Sequence, residues 1–471
     1  MGCIRNHLKI WNSWITIVIP VVYLFYSGIS EAAFAVRSSL TFGELYTDNI
    51  FFTQNKDHDF VTTITPTLSL LYAPVGEIAP TLNLNFSPSG LIFARHPELN
   101  GFGDNLNLNG GYTYQYSPRL TFNVSDWLGR QGGFSLGPLA QGAFQLPAFQ
   151  VSNPPTSPPP VGGTTPGQGN QNLSNFTSAS ENSQIWNNFS LQGTYLYSPD
   201  ISFTGGYTNN INHFIDQGGT DLYQTIGFRG AYHWREHNFH AGYWIGIYKT
   251  RNGGTNVINN FDLGDDYFSN IRIQLSPTLT LAASTGLSIN TGNSGPAAAN
   301  NSNISITKIW ERATLSAGVQ QGLTPSFVGL GISNTTSVYT NFNMQLAERL
   351  NMIAGVNYSL YRTDSGNLQT FQTSTGAQYL FNSWLSSNLF YSYRWSDSSA
   401  GAAAASSNLL QQGIVRANSV YVTLTASFDI WPNVGLARGT SSSTLTPIVR
   451  TPFPVTPPTS SSTPSSTTSG P

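Results

Sequence analysis

The sequence predicts an all-β protein, a closed antiparallel transmembrane β-barrel of about eighteen strands (16 to 20) with long outer loops. Three observations predict it: scarce charge, a two-residue alternation along the chain, and tight turn signals at hairpin spacing. Of the 471 residues only 9% are Asp, Glu, Lys or Arg, against roughly 25% in an ordinary soluble domain. A water-facing surface of this size would be short of charge, so something other than water has to cover part of it. Aromatics make up 13% of the chain and glycine contributes 45 residues. With abundant Asn, Ser and Thr, this composition describes strands with one apolar face and one polar, uncharged face. Outward Leu and Tyr faces argue against a soluble sandwich or solenoid of equal β-propensity.

The alternation is clearest in three places. Asn105, Asn107, Asn109, Gly111, Thr113 and Gln115 interleave with Leu106, Leu108, Gly110, Tyr112, Tyr114 and Tyr116. Leu279, Leu281, Ala283, Leu287 and Ile289 likewise interleave with Thr280, Ala282, Ser284, Gly286, Ser288 and Asn290. Near the end, Val420, Val422, Leu424, Ala426 and Phe428 alternate with Tyr421, Thr423, Thr425, Ser427 and Asp429. Each run is about ten residues, the length with which a tilted strand crosses hydrocarbon.

Tight turn signals separate pairs of such runs: Ser117-Pro118-Arg119, Ser198-Pro199-Asp200, Arg235-Glu236-His237, Ser276-Pro277-Thr278, Glu311-Arg312, Ala347-Glu348-Arg349 and Asn382-Ser383-Trp384. After the second they recur at about 35 to 41 residues, a fixed period that marks repeated hairpins. The first interval is about 80, and a Pro/Gly/Ser-rich stretch at 131–183 accounts for the excess. Longer polar segments, Lys249 to Gly264, Asn290 to Asn301 and Asp397 to Gln412, are expected as loops at the opposite end. Strands run from one near Val36 to Tyr46 to a last near Ala417 to Ile430, and their even number leaves both ends on one side. Aromatic pairs at strand ends (Tyr114 and Tyr116, Tyr195 and Tyr197, Tyr232 and Trp234, then Tyr391, Tyr393 and Trp395) fit interfacial girdles.

Residues 1–35 read as a signal peptide: Arg5, His7 and Lys9 form a basic start, Ile10 to Tyr26 is mostly apolar, and Ala33-Phe34-Ala35 supplies a small-x-small cleavage pattern. A membrane anchor over Trp11 to Ile29 is the alternative, but Asn12, Ser13 and Pro20 interrupt it. After Ala35 no run of about 18 apolar residues occurs. A membrane chain without helices must close into a barrel, because lipid cannot satisfy an open strand edge. The expected layout is then a leader at 1–35, a barrel at 36–436 and a disordered Ser/Thr/Pro-rich tail at 437–471.

Several function classes are excluded or weakened. The formal net charge is -2 with no Lys/Arg stripe, so nucleic acid is not an expected partner. The single cysteine, Cys3, lies in the expected leader, which leaves no disulfide framework, Cys-based metal site or cofactor in prospect. Gly133-Phe134-Ser135-Leu136-Gly137 matches a nucleophile-elbow pattern but stands in a Pro/Gly-rich loop without the strand-to-helix turn that pattern needs. No Ser/His/Asp set faces one end of the strands, and an enzyme is not expected.

Parity puts Arg229, Arg272, Arg394 and Asp429 on lumen faces, where charge sets a field on passing ions or simply satisfies a wet interior. His233 and His240 are expected opposite each other across the turn at Arg235 to Asn238, with His237 close by, a pair that resembles half of a metal site. Phe134, Leu136, Phe144 and Phe149 make the first half of the 131–183 stretch apolar enough to fold into the lumen as a constriction.

One segment carries a family likeness. Tyr46-Thr47-Asp48-Asn49-Ile50-Phe51, then Asp59-Phe60, then Ile64-Thr65-Pro66-Thr67-Leu68-Ser69-Leu70, resembles the opening of a family of outer-membrane β-barrel porins, some of whose members are associated with surface-polysaccharide systems. The specific motif covers about 25 residues. Such barrels usually finish on a strand ending in an aromatic residue, whereas here Phe428 and Trp431 are followed by a long tail.

Together these readings lead to an outer-membrane pore of a Gram-negative bacterium, passing small hydrophilic solutes. The alternative is a component of exopolysaccharide or capsule export. Expected partners are outer-membrane lipid and lipopolysaccharide, the barrel-assembly machinery, and the solute or polysaccharide itself.

Overall fold

The computed structural model describes residues 32–74, 81–132, 183–215, 218–235, 237–250, 254–268, 279–292, 297–326, 331–363, 366–398 and 413–431. They form eighteen strands: β1 (Ala32–Thr47), β2 (Asp59–Pro74), β3 (Thr81–Phe93), β4 (Gly101–Ser117), β5 (Leu120–Gln131), β6 (Gln184–Leu196), β7 (Ile201–Phe214), β8 (Thr220–Trp234) and β9 (His237–Lys249) make one half. The other half is β10 (Thr255–Phe268), β11 (Leu279–Asn290), β12 (Ala298–Ile309), β13 (Ala313–Ser326), β14 (Gly331–Ala347), β15 (Leu350–Thr363), β16 (Gly366–Leu380), β17 (Leu385–Ser398) and β18 (Gly413–Trp431). Each pairs antiparallel with the next, and β1 pairs with both β2 and β18, so the sheet closes into a cylinder without a free edge. Arg37, for example, stands across from Ser69 on one side and Asp429 on the other. A tilted strand needs about 9–11 residues to cross hydrocarbon. The shortest strand here has 12 and the longest 19.

The alternation read from the sequence becomes the two faces of this wall. On β18 Thr423 and Thr425 are 1% and 4% exposed, while the intervening Val422 and Leu424 are 45% exposed. The buried set lies on the concave side, where residues of separate strands meet. The convex side carries Phe42, Leu68, Phe86, Leu108, Leu191, Ile226, Phe228, Leu287, Ile304 and Leu389, all exposed. An exterior of this kind suits a hydrocarbon solvent and not water. Outward aromatics collect at both ends: Tyr114, Tyr116, Tyr195, Tyr232, Trp234 and Trp384 beside the tight turns, Tyr391, Tyr393 and Trp395 at the far end of β17. Among the described residues no helix is long and apolar enough to cross a membrane.

The hairpin turns fall where the sequence placed them between β4 and β5, β6 and β7, β8 and β9, β12 and β13, β14 and β15, and β16 and β17; Ser276-Pro277-Thr278 lies outside the described residues. The opposite end differs in part. Lys249 to Gly264 was expected as a loop, yet all from Thr255 onward belongs to β10. The polar residues that suggested a loop, Asn256, Asn260 and Asp262, are the strand's buried inward face, alternating with Val257, Phe261 and Leu263 outside. For the same reason Ala298–Asn301, within the expected Asn290 to Asn301 loop, begins β12. β1 starts at Ala32, so Ala33 to Ala35 pair with Ala73 to Leu71 of β2. A cut after Ala35 would leave the strand beginning at Val36, still opposite Trp431. β18 ends on that tryptophan. The rest of the expected leader, most of the 131–183 stretch with Phe134, Leu136, Phe144 and Phe149, and the tail at 437–471 lie outside the described residues, as do Ser135 and Arg272.

Candidate functional site

The inside of the cylinder is the candidate site. Its wall is rich in amides and hydroxyls and poor in charge. Among the described strands, the inward positions of β3–β7 and of β11–β16 hold no charged side chain, only Asn, Gln, Ser, Thr, Gly and a few apolar residues. Charge is confined to the remaining strands, and there two pairs of opposite sign meet.

Near the end that holds both termini, Arg37 Nε donates to Asp429 at 2.7 Å. Higher up, Arg229 reaches over Gly242 to donate to Asp262 at 2.7 Å; the two carboxylate and guanidinium groups are 5% and 16% exposed. A side chain at position 242 would collide with Asp262 Oδ1, so the glycine makes the cross-wall pair possible. By register Arg229, Arg394 and Asp429 lie on the inward faces of β8, β17 and β18. Two of these expected lumen charges are therefore neutralised within hydrogen-bond distance by partners, Arg37 and Asp262, that the sequence reading did not name.

The histidines sit differently from the expectation. Register sets His233 across from Asn238 and His240 across from Ala231, so the two imidazoles are diagonal and not opposite. Each lost its facing partner because the turn between β8 and β9 is only two residues, Arg235 and residue 236. His240 turns instead toward Asp262, Nε2 to Oδ2 3.8 Å. His237 faces outward at the girdle, stacked on Phe239 and bonded to Asp265 at 2.6 Å. No group of three or more His, Cys, Asp or Glu placed to hold a metal occurs among the described residues.

Two apolar clusters narrow the mouth opposite the termini. The first lies on the inner wall of β17, β18, β1, β2 and β3 and joins Leu45, Val61, Leu91, Phe93, Phe390 and Tyr421 to Ile50, with Phe51 and Leu99 packed against it. Ile50 and Phe51 belong to the β1–β2 connection, so that segment is tucked against the inside of the wall. Its polar residues tie it there. Asp48 accepts from the Asn418 backbone at 2.6 Å and from Lys56 at 2.5 Å. Asn49 donates to the carbonyls of Thr53 and Arg416 at 2.6 and 2.9 Å and accepts from Thr53 N at 3.0 Å. Thus Asp48-Asn49-Ile50-Phe51, the stretch that carried the family likeness, is the pin of an inward knot. Nothing in its spacing announced that role; the signal was the run of polar and apolar residues directly after a strand end.

The second cluster, Tyr223, Tyr248, Ile258, Ala299, Leu323 and Ile332, lines the wall from β8 to β14. In the ring β10 stands nine strands from β1, so the clusters oppose each other. Val319 and Val338 of β13 and β14 are exposed outside, yet Leu323 and Ile332, at the same parity, are buried against inward residues. The adjoining ends of β13 and β14 therefore turn these two side chains toward the inner wall at the mouth.

His96 fastens the knot from the β3–β4 connection. It contacts Asp59 at 2.8 Å and Asp57 at 3.0 Å, edge-on to Phe51, while Arg95 lies on His58. The Asp59 hydrogen bond, then Asp57, hold its pKa above the ordinary imidazole value against the opposing effect of burial. Asp48 is held below the usual carboxylate range: burial would raise it, but the bonds from Lys56 and Asn418 outweigh that. A raised histidine pKa stabilises the knot fully below about pH 6.5, and the contribution fades as pH rises through the raised value. Protease cleavage within residues 48–58 is expected to be slower at pH 6 than at pH 9. His96→Gln removes the difference; an unchanged pH dependence in that variant would reject the assignment.

No family model matches the sequence, and no curated protein is similar to it. Among solved structures, the chain is similar over 84% of its length to Pseudomonas aeruginosa OccK2 (OpdF) in complex with glucuronate, at 9% identity and a TM-score of 0.44, covering 98% of that chain. It is similar to Pseudomonas aeruginosa OpdL at 12% identity, with 84% and 99% of the two chains covered and a TM-score of 0.43. For the anion-selective porin from Comamonas acidovorans the values are 13%, 84%, 100% and 0.35. Likeness at this level assigns this chain no function, ligand or residue.

Proposed function

We propose that the protein is a diffusion pore of a bacterial outer membrane, passing small hydrophilic solutes. The observation that carries this reading is the closed ring with exposed Leu, Ile and Phe outside and an inner wall made mostly of amides and hydroxyls. A barrel of sixteen to eighteen strands is wide enough to leave an aqueous channel. Lumen polarity replaces part of a solute's hydration, and the two apolar clusters set the width of the entrance. In this reading residues 1–35 direct export, the barrel-assembly machinery inserts the chain, and lipid with lipopolysaccharide surrounds it.

Planar-bilayer recording of the purified full chain tests the proposal. Discrete conductance steps are expected, with cation-to-anion permeability near unity because inward Arg37, Arg229 and Arg394 are matched in number by Asp221, Asp262 and Asp429. A folded, heat-modifiable sample without discrete steps would overturn it.

A further inference from the structure

We infer that the inner wall of β3–β6 is a binding track for neutral, polyhydroxylated solutes, linear glycans above all. The inference rests on the pore reading for its location and on the residues of the wall for its chemistry. Pairing sets Asn85, Asn109, Trp127 and Asn188 side by side on four successive strands. Asn107 and Trp186 flank the same row through Gly129. These residues are half-buried, in contrast with the inner wall of β8–β10, where Tyr223, Trp244 and Tyr248 are 4% exposed or less. This side of the lumen is accessible.

The amides are polarised by their own contacts. Asn85 donates to Asn109 Oδ1 at 3.0 Å, Trp127 Nε1 to Asn107 Oδ1 at 2.5 Å, and Thr113 to Asn123 Oδ1 at 3.0 Å. Each acceptor oxygen thereby takes one hydrogen bond, and among the described residues no side-chain or backbone partner is seen for the Nδ2 groups of Asn107, Asn109 and Asn123. They present a line of neutral donors into the lumen.

Between them stand two tryptophans, edge to face with ring centroids 4.6 Å apart. Trp186 lies over Gly129, where any side chain would strike its ring. Both indoles stand on the inward faces of β5 and β6 and are half-buried. An aromatic face is electron-rich and takes up the partly positive C–H face of a sugar ring, while fixed donors take its hydroxyl oxygens. A cation would need a carboxylate to replace its water, and an anion a cation; no charged side chain faces inward from β3 to β7 among the described residues. The wall therefore selects against ions and for polyols.

The test is single-channel recording with the full chain and two probes, maltohexaose and an oligogalacturonate of equal length. Reversible current block by maltohexaose is expected, weaker by roughly five- to tenfold in Trp186→Ala and partly restored in Trp186→Phe. Oligogalacturonate should block less than maltohexaose. Conductance without maltohexaose block, equal block in the wild type and Trp186→Ala, or tighter block by oligogalacturonate would overturn the inference while leaving the pore. Tryptophan fluorescence of the detergent-folded protein separates the two readings further. Saturable quenching by maltohexaose in a protein without conductance supports the track and sinks the pore, and absence of both block and quenching sinks the track.

Discussion

Arg229→Ala is expected to destabilise the barrel by roughly 3–5 kcal/mol, the usual cost of stripping one partner from a buried ion pair. Asp262, 5% exposed, would be left without its guanidinium partner; among the described residues only His240, 3.8 Å away, stands near. The double variant Arg229→Ala, Asp262→Ala should recover most of the loss, because it removes the stranded charge as well. The measurement is the urea midpoint of the refolded barrel in lipid vesicles. A single variant no less stable than the double would show that the pair is solvated and that the inner wall at β8–β10 is open to water.

How much of this was legible in the sequence follows from what period-two patterning can encode. The faces of β4, β11 and β18 were read correctly because the outward residues of the runs from Leu106 to Tyr116, Leu279 to Ile289 and Val420 to Phe428 are apolar but for Thr285, and Ser-Pro and Glu-Arg pairs marked the tight turns. The start of β10 was missed because Asn256, Asn260 and Asp262 are polar residues of a polar lumen, and a polar strand face looks like a loop when its other face also carries Asn259. Parity placed Arg229 and Asp429 inside but said nothing of Asp262 and Arg37. Pairing across neighbouring strands depends on register, and one residue of slip exchanges the two faces. His233 and His240 illustrate this: the length of one turn decides whether they are opposite or diagonal. The anchoring of the inward knot was not legible for a different reason. Asn49 acts through carbonyls of Thr53 and Arg416, the second of them 367 positions away, and no local pattern records such a partner.

That knot gives the second large effect. Asn49→Ala should raise single-channel conductance, because Asn49 is what holds the β1–β2 connection against the inner wall. The residue is 3% exposed and serves three backbone groups. Removing its amide leaves the Thr53 and Arg416 carbonyls and the Thr53 N–H without it, at roughly 1–3 kcal/mol for each buried group left unsatisfied. Release of Ile50 and Phe51 exposes apolar surface on both the segment and the wall, which opposes the swing. Burying one aliphatic side chain is worth about 1.5–3 kcal/mol, so Asn49→Ala alone should loosen the segment and Asn49→Ala with Ile50→Ala should free it. Conductance should rise in that order, and cleavage within residues 48–58 should accelerate in parallel. If both variants conducted like the wild type while cleavage rose, the tucked segment would stand clear of the permeation path, and the width of the mouth would have to be set by the β13–β14 hairpin across from it.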